Sequence, residues 1–137
     1  MAVRKVALIV FYDKNNRILL QDRKKISKRG AEWGFFGGEI KERETPEEAV
    51  IRETEEELKY KLSNFEYIGN YKNTLDDAYI IDRYIFVFPL GDKLSKFVLN
   101  EGEKMQLFSI EEAKKLKMVS GDYETLDIIS KYLSVAE

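Results

Sequence analysis

Stretches of β-branched and aromatic residues, separated by short polar segments, recur along the chain. Such stretches are typical of β-strands, and the polar segments between them carry residues that favour turns. The first two stretches flank the segment Asp13-Lys14-Asn15-Asn16, which predicts a β-hairpin. The pattern predicts strands over residues 6–12, 17–22, 65–71, 79–90 and 105–110, a short strand and loop over 33–38, and a polar turn around 73–77.

Helical spacing replaces the strand pattern in three segments. The clearest begins at Thr45, which precedes Pro46 and stands three residues before Glu48, the arrangement of an N-cap, a first-turn proline and a capping box. This helix is predicted to run to about Leu58, with a modest apolar face and a mostly acidic remainder. Two further helices are predicted over residues 111–116 and 123–133, the second with one apolar face formed by Leu126, Ile129 and Leu133.

These elements predict a single α/β domain over residues 1–137. The chain has 137 residues, 44% of them hydrophobic, which suffices for one ordinary core and not for two comfortable ones. Strands with a few helices predict a mixed β-sheet covered by helices on both faces, an α/β/α arrangement. The longest apolar run, residues 6–12, is far shorter than the roughly 20 residues that cross a bilayer, so we expect no membrane partner.

Composition excludes several classes of function. The formal net charge of −2 argues against a nucleic-acid polymer as partner, because such proteins need surplus Lys and Arg to neutralise phosphates. The absence of cysteine excludes disulfides and leaves the cytoplasm as the expected compartment. The absence of histidine excludes Ser-His-Asp hydrolysis and most zinc chemistry. Any catalysis must therefore use carboxylates, Lys, Arg, Tyr and bound ions.

Three glutamates converge on one face of the first predicted helix. Glu53, Glu56 and Glu57 stand at i, i+3 and i+4, which confines them to an arc of roughly 100°. With no His or Cys to compete, oxygen ligands of this kind suit Mg²⁺ or Mn²⁺. A solvated acidic face is the commoner outcome of such a pattern, and burial against the sheet decides between the two interpretations.

The spacing that leads into this helix resembles the signature of a known family. A glycine is followed after five residues by Glu, after seven more by Arg-Glu, and then by Glu-Glu. This arrangement resembles the Nudix box, the defining motif of the Nudix hydrolases. All six defining positions are filled, by Gly38, Glu44, Arg52, Glu53, Glu56 and Glu57.

Three positions depart from the usual box. Lys59 stands where the family usually has Gly, Thr54 where it has an aliphatic residue, and Phe36 where it often has Pro. We expect the exit of the helix to differ at Lys59, since Gly at a helix C-terminus relieves a left-handed conformation. None of the three departures removes a predicted ligand.

The resemblance implies the Nudix fold of MutT-like pyrophosphohydrolases, with water attacking phosphorus inside a pyrophosphate unit. It implies Mg²⁺ as cofactor, with Mn²⁺ as a substitute, held by three glutamates and a backbone carbonyl: Glu53, Glu56, Glu57 and Gly38 or its neighbour Gly37. By the same resemblance, Arg52 orients the glutamates through charge-assisted hydrogen bonds, and Glu44 binds metal or water. Which glutamate acts as the general base stays open, with Glu56 and Glu57 as first candidates.

The resemblance also implies a nucleotide site, to which Gly38 contributes. Arg23 follows the second strand where triphosphate-cleaving relatives contact phosphate, although a solvated basic loop is an equal alternative. Asp122 lies where some relatives bind a nucleobase edge, whereas a Gly-Asp pair before a helix is also an ordinary N-cap. Trp33 and Phe35 are candidates to stack on a base, but core packing is the commoner role of such residues.

Two loop acids are weaker candidates. Glu101 and Glu103 precede the predicted strand 105–110, in a region from which some relatives supply a glutamate to a second metal site. Acids in loops are more often simply solvated.

Two functions from different classes are consistent with the residues. The first is a small hydrolase, monomeric or homodimeric, that cleaves nucleoside triphosphates, including oxidised or otherwise non-standard ones, or other nucleoside diphosphate derivatives. The second is a Nudix-fold module that binds a nucleotide and regulates without catalysis. Modules of that kind commonly lose box glutamates, so the presence of all three glutamates favours the enzyme.

Overall fold

The fold is described by a computed structural model that covers residues 2–25, 27, 30–100 and 103–135. Strands and helices follow in the order β1 (Ala2–Tyr12), β2 (Ile18–Asp22), β3 (Trp33–Gly34), β4 (Phe36–Glu39), α1 (Pro46–Leu58), β5 (Glu66–Leu75), β6 (Tyr79–Pro89), β7 (Met105–Phe108), α2 (Ile110–Ala113) and α3 (Asp122–Val135). A short 3₁₀ helix, Lys93–Lys96, follows β6. None of the helices in these ranges is long and apolar enough to cross a membrane.

The strands form one mixed sheet. Its order is β3-β2-β1-β6-β5, with β4 paired to β1 and β7 paired to β2. The two longest strands, β1 and β6, run parallel from the pair Ala2 and Tyr79 to the pair Tyr12 and Pro89. The remaining pairs are antiparallel, including the predicted hairpin of β1 and β2. β1 is therefore the central strand, and it pairs with β2, β4 and β6.

Helices cover both faces of this sheet, as predicted. Side chains alternate along the strands, so β1, β2, β6 and β7 contribute to both cores. The core beneath α1 includes Ile9, Phe11, Phe36, Val50, Leu58 and Phe86. The core beneath α2 and α3 includes Val10, Leu20, Ile85, Val87, Leu126 and Ile129. The α/β/α arrangement expected from the mixture of strands and helices is therefore confirmed.

Several element boundaries differ from the prediction because strand pairing sets them. β1 begins at residue 2 rather than 6, since its exposed first residues pair with β6. β5 continues through part of the predicted turn 73–77 and ends at Leu75, which pairs with Tyr79. The segment 33–38 divides into two strands that pair with different partners. The predicted helix 111–116 is the single turn Ile110–Ala113, followed by further turns.

The exit of α1 keeps the geometry that glycine usually provides. Lys59 adopts the left-handed conformation, with φ 53° and ψ 35°, and its N–H donates to the Glu55 carbonyl at 3.0 Å. The expected difference in helix exit is therefore wrong, because the capping hydrogen bond holds lysine in a conformation that its Cβ disfavours. Such a conformation costs about 1–2 kcal/mol for a residue other than glycine.

We predict that Lys59→Gly raises the free energy of unfolding by about 1 kcal/mol, since glycine adopts the left-handed conformation without a steric penalty. Urea denaturation of the wild type and the variant measures the difference. Lys61→Gly is the matched control, because Lys61 is exposed and does not have a positive φ. Glycine at residue 61 is expected to leave stability unchanged or lower it, and an equal gain from both variants would contradict the prediction.

Candidate active site

The acidic helix begins at its predicted cap. The Thr45 hydroxyl accepts a hydrogen bond from the Glu48 N–H at 3.0 Å, and the Glu48 carboxylate accepts one from the Thr45 N–H at 2.9 Å. Pro46 occupies the first turn, where the absence of its N–H costs nothing. The capping box thus fixes where the helix starts along the chain.

The buried face of α1 sets the direction of its glutamates. Four helix residues are buried against the sheet: Ala49, Val50, Thr54 and Leu58. Thr54 tolerates this position, where the box usually has an aliphatic residue, because its hydroxyl donates to the Val50 carbonyl at 2.7 Å. Glu53 and Glu57 flank the buried face and are partly covered, whereas Glu56 is exposed. Two of the three glutamates are therefore directed toward the sheet.

The Glu57 carboxylate reaches the backbone of β4. It accepts a hydrogen bond from the Gly37 N–H at 2.9 Å and a longer one from the Gln21 side chain at 3.4 Å. Burial raises the pKa of Glu57 to about 7; the Gly37 hydrogen bond opposes this rise and the nearby Glu53 carboxylate adds to it. A carboxylate that has lost water and faces a second negative charge is a favourable position for a cation.

Two glycines of β4 allow this close approach of helix and sheet. They lie opposite Leu8 and Ala7 in the middle of β1. A side-chain carbon at Gly38 would lie 2.5 Å from the carboxylate carbon of Glu53, so glycine leaves the room that this carboxylate occupies. Gly37 has a φ of +127°, and a side chain there would collide with the Ala7 carbonyl oxygen. We refer to Gly37 and Gly38 as the glycine pair.

Arg52 connects the glutamates to one another. It donates to both oxygens of Glu44, at 2.8 and 2.9 Å, and to Glu53 at 2.8 Å. It also donates to the Glu39 carbonyl at 3.0 Å and lies 3.5 Å from the exposed Glu56. The hydrogen bonds from Arg52 are the main reason that the pKa of Glu44 is lowered to about 2. These contacts are those expected of an arginine that orients carboxylates.

A cavity of about 440 Å³ opens between the sheet and the start of α3. Its apolar lining includes Val6, Leu8, Leu75, Ile81 and Val119. Its charged lining residues are Arg4, Arg23, Glu39, Arg83 and Asp122. The glycine pair also lines this cavity, and the same two residues contact the carboxylates of α1. The predicted substrate-binding residues Arg23, Gly38 and Asp122 therefore border one cavity next to the acidic helix.

The model of the NUDIX domain family matches residues 2–127. The chain belongs to the Nudix family. The match covers the box, the whole sheet and the beginning of α3, so the site described above lies within the matched residues.

Individual relatives agree with this assignment. An 8-oxo-dGTP diphosphatase of Proteus vulgaris is 28% identical over 91 residues, which are 66% of this chain and 81% of that protein. The solution structure of the E. coli ORF135 protein has a TM-score of 0.79 at 23% identity, covering 98% of this chain and 94% of that one. The MutT protein of Methanosarcina mazei Go1 has a TM-score of 0.75 at 16% identity, covering 99% and 96%. The chain is thus MutT-like in sequence and fold.

The Nudix glutamates meet the chemical requirements of a divalent cation, although the described part of the chain contains no group of three acidic side chains close enough to hold one. Glu53 and Glu57 lie at the glycine pair, whereas the Glu56 side chain is 58% exposed and near Arg52. All the donors are oxygens, and the raised pKa of Glu57 beside Glu53 marks negative charge that a cation would relieve. An exposed glutamate changes rotamer at little cost, so the role of Glu56 as a third ligand stays a prediction.

Arg23 and Asp122 both line the cavity, but they differ in burial and in what they contact. The Arg23 side chain passes over Gly34, where a side-chain carbon would lie 2.5 Å from the Arg23 Cδ. Asp122 is the first residue of α3 and is 8% exposed, and its Oδ1 accepts a hydrogen bond from Arg83 at 3.3 Å. Burial raises the pKa of Asp122 to about 6, against the opposing effect of Arg83. Asp122 is therefore a buried acid in the cavity wall.

The structure describes both aromatic residues predicted as candidates to stack on a base, but only one of the two loop acids predicted as candidates for a second metal site. The Trp33 ring packs edge-on against Phe108, with centroids 4.9 Å apart, and Phe35 is buried in the core beneath α3. Both aromatics also line the cavity, so core packing is observed and stacking on a base stays a prediction. Glu101 lies outside the described residues, and Glu103 is exposed in the segment before β7.

Four residues of the site were not predicted from the sequence. Gln21 and Arg83 contact the predicted acids, and Arg4 pairs with Glu39 at 2.7 Å beside the cavity. A polar residue at a buried position of an otherwise apolar strand is the signal that could have identified Gln21 and Arg83. Arg4 and Glu39 meet because β4 pairs with β1, which the local sequence does not indicate.

We predict that Glu57 makes the metal-free Nudix protein less stable as pH rises. Its pKa is raised from an ordinary 4.5 to about 7, so its favourable contribution is fully present below pH 4.5 and lost as pH rises through 7. Glu57→Gln removes this dependence. The free energy of unfolding of the variant relative to the wild type should therefore increase by roughly 1–3 kcal/mol between about pH 4.5 and 8, measured by urea denaturation with a chelator present.

Glu44→Gln is the control of opposite sign. The pKa of Glu44 is lowered from 4.5 to about 2, so its contribution is present above pH 4.5 and lost as pH falls toward 2. The loss in free energy of unfolding caused by Glu44→Gln should therefore become smaller as pH falls. The free energy of unfolding of Glu57→Gln, relative to the wild type, should instead increase as pH rises. A constant difference between Glu57→Gln and the wild type across this range would show that Glu57 is not buried as described.

Proposed function

We propose that this Nudix protein is a Mg²⁺-dependent hydrolase that cleaves a pyrophosphate bond in a nucleoside triphosphate or another nucleoside diphosphate derivative. The glycine pair carries the proposal. It lines the cavity and also contacts the Glu53 and Glu57 carboxylates. A nucleotide with its base and sugar in the cavity would therefore lead its phosphates past a backbone without side chains to the acidic helix.

Charge around the cavity suits a polyphosphate chain. Arg23 lines the cavity, and the adjacent Lys24 and Lys25 are exposed. The donors of Arg52 are directed at Glu44, Glu53 and a backbone carbonyl, and not at the cavity. We therefore assign phosphate contact to Arg23 and a positioning role to Arg52.

The residues that would hold the ion are Glu53, Glu56 and Glu57, with a backbone carbonyl of Gly38, and Mn²⁺ is expected to substitute for Mg²⁺. When bound, the ion neutralises charge on the phosphate oxygens and lowers the pKa of water at the site. Glu56 and Glu57 are the candidates to accept the proton of the attacking water. Glu44 is expected to bind metal or water, and it also accepts two hydrogen bonds from Arg52.

The bond changes follow from this assignment. The oxygen of water bonds to phosphorus as a bridging P–O bond of the pyrophosphate unit breaks, and a carboxylate takes the proton that water releases. For a nucleoside triphosphate cleaved next to its first phosphate, the products are a nucleoside monophosphate and pyrophosphate. The bridging oxygen leaves with the pyrophosphate if water attacks the first phosphorus, and with the nucleoside monophosphate if water attacks the second.

The similarity to an 8-oxo-dGTP diphosphatase supports nucleoside triphosphates, oxidised ones included, as the first substrates to examine. A cavity of about 440 Å³ falls within the range of small-molecule sites. With a net charge of −2 and no cysteine, we further expect a cytoplasmic protein, monomeric or homodimeric, that binds small nucleotides and not nucleic-acid polymers.

One observation favours a second candidate function, a nucleotide-binding module without catalysis. Among the described residues, the acidic side chains do not form a three-carboxylate group, because Glu56 is exposed beside Arg52. If Glu56 keeps this position when nucleotide binds, the site would retain the cavity and lack a complete set of ligands.

We predict Mg²⁺-dependent turnover on at least one member of a panel of nucleoside triphosphates, oxidised nucleoside triphosphates and nucleoside diphosphate conjugates. Glu57→Gln and Glu56→Gln should each lower kcat/KM by roughly 100-fold or more, since each removes a ligand or the base. Release of phosphate or pyrophosphate measures the rate.

Glu55→Gln is the matched control, because Glu55 lies on the same helix, is exposed, and is not a box position. This variant should keep wild-type activity. If no member of the panel is hydrolysed while nucleotide binding is intact and insensitive to Glu56→Gln and Glu57→Gln, the binding module is the correct function.

A further inference from the structure

Gln21 is a buried polar residue in an otherwise apolar strand. The three residues that precede it in β2 are apolar and at most 1% exposed, and Gln21 itself is 5% exposed. A buried amide without hydrogen-bond partners destabilises a protein, whereas an apolar side chain of the same size does not. The partners of Gln21 therefore indicate why an amide stands at this position.

Two acceptors share the amide nitrogen of Gln21. Nε2 donates to the Phe35 carbonyl at 3.0 Å and to Oε2 of Glu57 at 3.4 Å. A side-chain amide carries two N–H groups on this atom, so it can serve both acceptors. Pairing of Gln21 with Gly34 in β3 brings the neighbouring Phe35 carbonyl within reach. Because side chains alternate along a strand, Gln21 lies on the same face of the sheet as Leu19, which belongs to the core beneath α1.

The Glu57 carboxylate is held through both of its oxygens. The Gly37 N–H donates to Oε1 at 2.9 Å, and the Gln21 amide donates to Oε2. Both of these donors are neutral groups of the sheet, whereas the donor to Glu53 is the cationic Arg52, at 2.8 Å. A neutral donor orients a carboxylate without adding positive charge that would repel a metal ion. Gln21 can therefore direct Glu57 without weakening its attraction for a cation.

We propose that Gln21 is a positioning residue, which holds the Glu57 carboxylate in the orientation that binds the divalent cation. A glutamate side chain has several rotatable bonds, and fixing them before the ion binds removes an entropic cost from binding. Of the two donors, the Gly37 N–H belongs to the backbone, and only the Gln21 donor depends on a side chain. The inference rests on the proposed function, because it assigns Glu57 to the metal.

The direction of the change on removing the Gln21 amide distinguishes positioning from competition. A hydrogen bond to Oε2 of Glu57 uses a lone pair of that oxygen, for which a metal ion could compete. If competition dominates, loss of the amide strengthens metal binding. If positioning dominates, loss of the amide weakens metal binding by roughly tenfold, as loss of a hydrogen-bond partner of a metal ligand commonly does.

Gln21→Met is the direct test, since methionine is unbranched, similar in length and without an N–H donor. The measurement is the Kd of Mn²⁺ for the nucleotide-free protein at about pH 8, from the EPR signal of free Mn²⁺, and it requires no turnover. Gln21→Met should raise this Kd by roughly tenfold. Gln106→Met is the matched control, because Gln106 is the other glutamine of the chain and is exposed on β7. The control should leave the Kd unchanged.

A double-mutant cycle separates an effect through Glu57 from an effect through the backbone. Gln21→Met also removes the hydrogen bond to the Phe35 carbonyl, in the segment that leads to the glycine pair. If Gln21 acts through Glu57, Gln21→Met should change the Kd little in a Glu57→Gln protein, because both substitutions disturb the same ligand. An equal rise of the Kd in both backgrounds would show an effect through the backbone and would overturn the inference.

A second variant and a second readout keep the test decisive. If Gln21→Met does not fold, Gln21→Asn replaces it. Its shorter amide should lose the longer hydrogen bond, to Glu57, and should weaken Mn²⁺ binding in the same direction. If Glu57→Gln binds Mn²⁺ too weakly to give a Kd, the cycle is measured by urea denaturation with a chelator present. Non-additive changes in the free energy of unfolding are then expected, and additive changes would contradict the contact.

The dependence of turnover on Mg²⁺ distinguishes positioning from a merely structural role. In Gln21→Met, the Mg²⁺ concentration that gives half of the maximal rate should rise by roughly tenfold. The KM for the nucleotide at saturating Mg²⁺ should stay within about twofold of the wild type. A loss of rate that excess Mg²⁺ does not restore would show that Gln21 has a structural role instead.

Metal binding and hydrolysis together separate this inference from the proposed function. If no member of the nucleotide panel is hydrolysed but Mn²⁺ binding depends on Gln21 as expected, the proposed function fails and the inference stands. If Mg²⁺-dependent hydrolysis is observed and Gln21→Met binds Mn²⁺ as tightly as the wild type or more tightly, the inference fails and the proposed function stands. A wild type that binds no Mn²⁺ without nucleotide would also overturn the inference.

Discussion

The rest of the site depends on one contact, which joins the Glu53 and Glu57 carboxylates of α1 to the glycine pair of β4. Glu57 accepts a hydrogen bond from the Gly37 N–H, and Glu53 occupies the space that a side chain at residue 38 would fill. β4 pairs with the middle of β1. The acidic helix packs on one face of the sheet at this point, and the cavity opens on the other face. The glycine pair thus contacts the carboxylates of α1 and also lines the cavity.

Placing negative charges together in this way carries an electrostatic cost. Two carboxylates on neighbouring positions of a partly buried helix face repel by roughly 3 kcal/mol at an effective dielectric near 20. Arg52 offsets part of this cost by donating to Glu44 and Glu53, and the Gly37 N–H offsets part at Glu57. The pKa of Glu57 nevertheless stays raised to about 7. The remaining unfavourable charge is what a divalent cation would neutralise, which links the fold of the helix to the proposed metal dependence.

The sequence predicted those features that depend on local spacing. The capping box at Thr45 and the face of α1 follow from residue types a few positions apart, and both were confirmed. The glutamate spacing and Gly38 were recognised through their resemblance to the Nudix box, and family membership was confirmed by the match over residues 2–127. The α/β/α arrangement followed from the mixture of strands and helices.

Features that depend on contacts between distant segments were not predictable in the same way. Arg83 and Asp122 are 39 residues apart, and they meet where the start of α3 lies beside β6 in the folded chain. The rotamer of Glu56 beside Arg52 is likewise a property of the folded site and not of its spacing. The extension of β5 to Leu75 depends on its pairing with β6, which overrides the turn propensity of the local residues.

The glycine pair gives the most direct test of the central claim, that α1 carboxylates act on a substrate in the cavity through a gap without side chains. In Gly38→Ala, the added carbon meets the flexible end of Glu53, so the protein should fold with a free energy of unfolding within about 1 kcal/mol of the wild type. Gly37→Ala, whose added carbon meets the Ala7 carbonyl, should lose more stability.

The measurement is the Mg²⁺-dependent kcat/KM of Gly38→Ala on the best wild-type substrate. Displacement of Glu53 should lower kcat/KM by roughly 100-fold in a protein that remains folded. Wild-type activity in a folded Gly38→Ala variant would contradict the claim, because it would show that Glu53 does not need its place against the glycine pair.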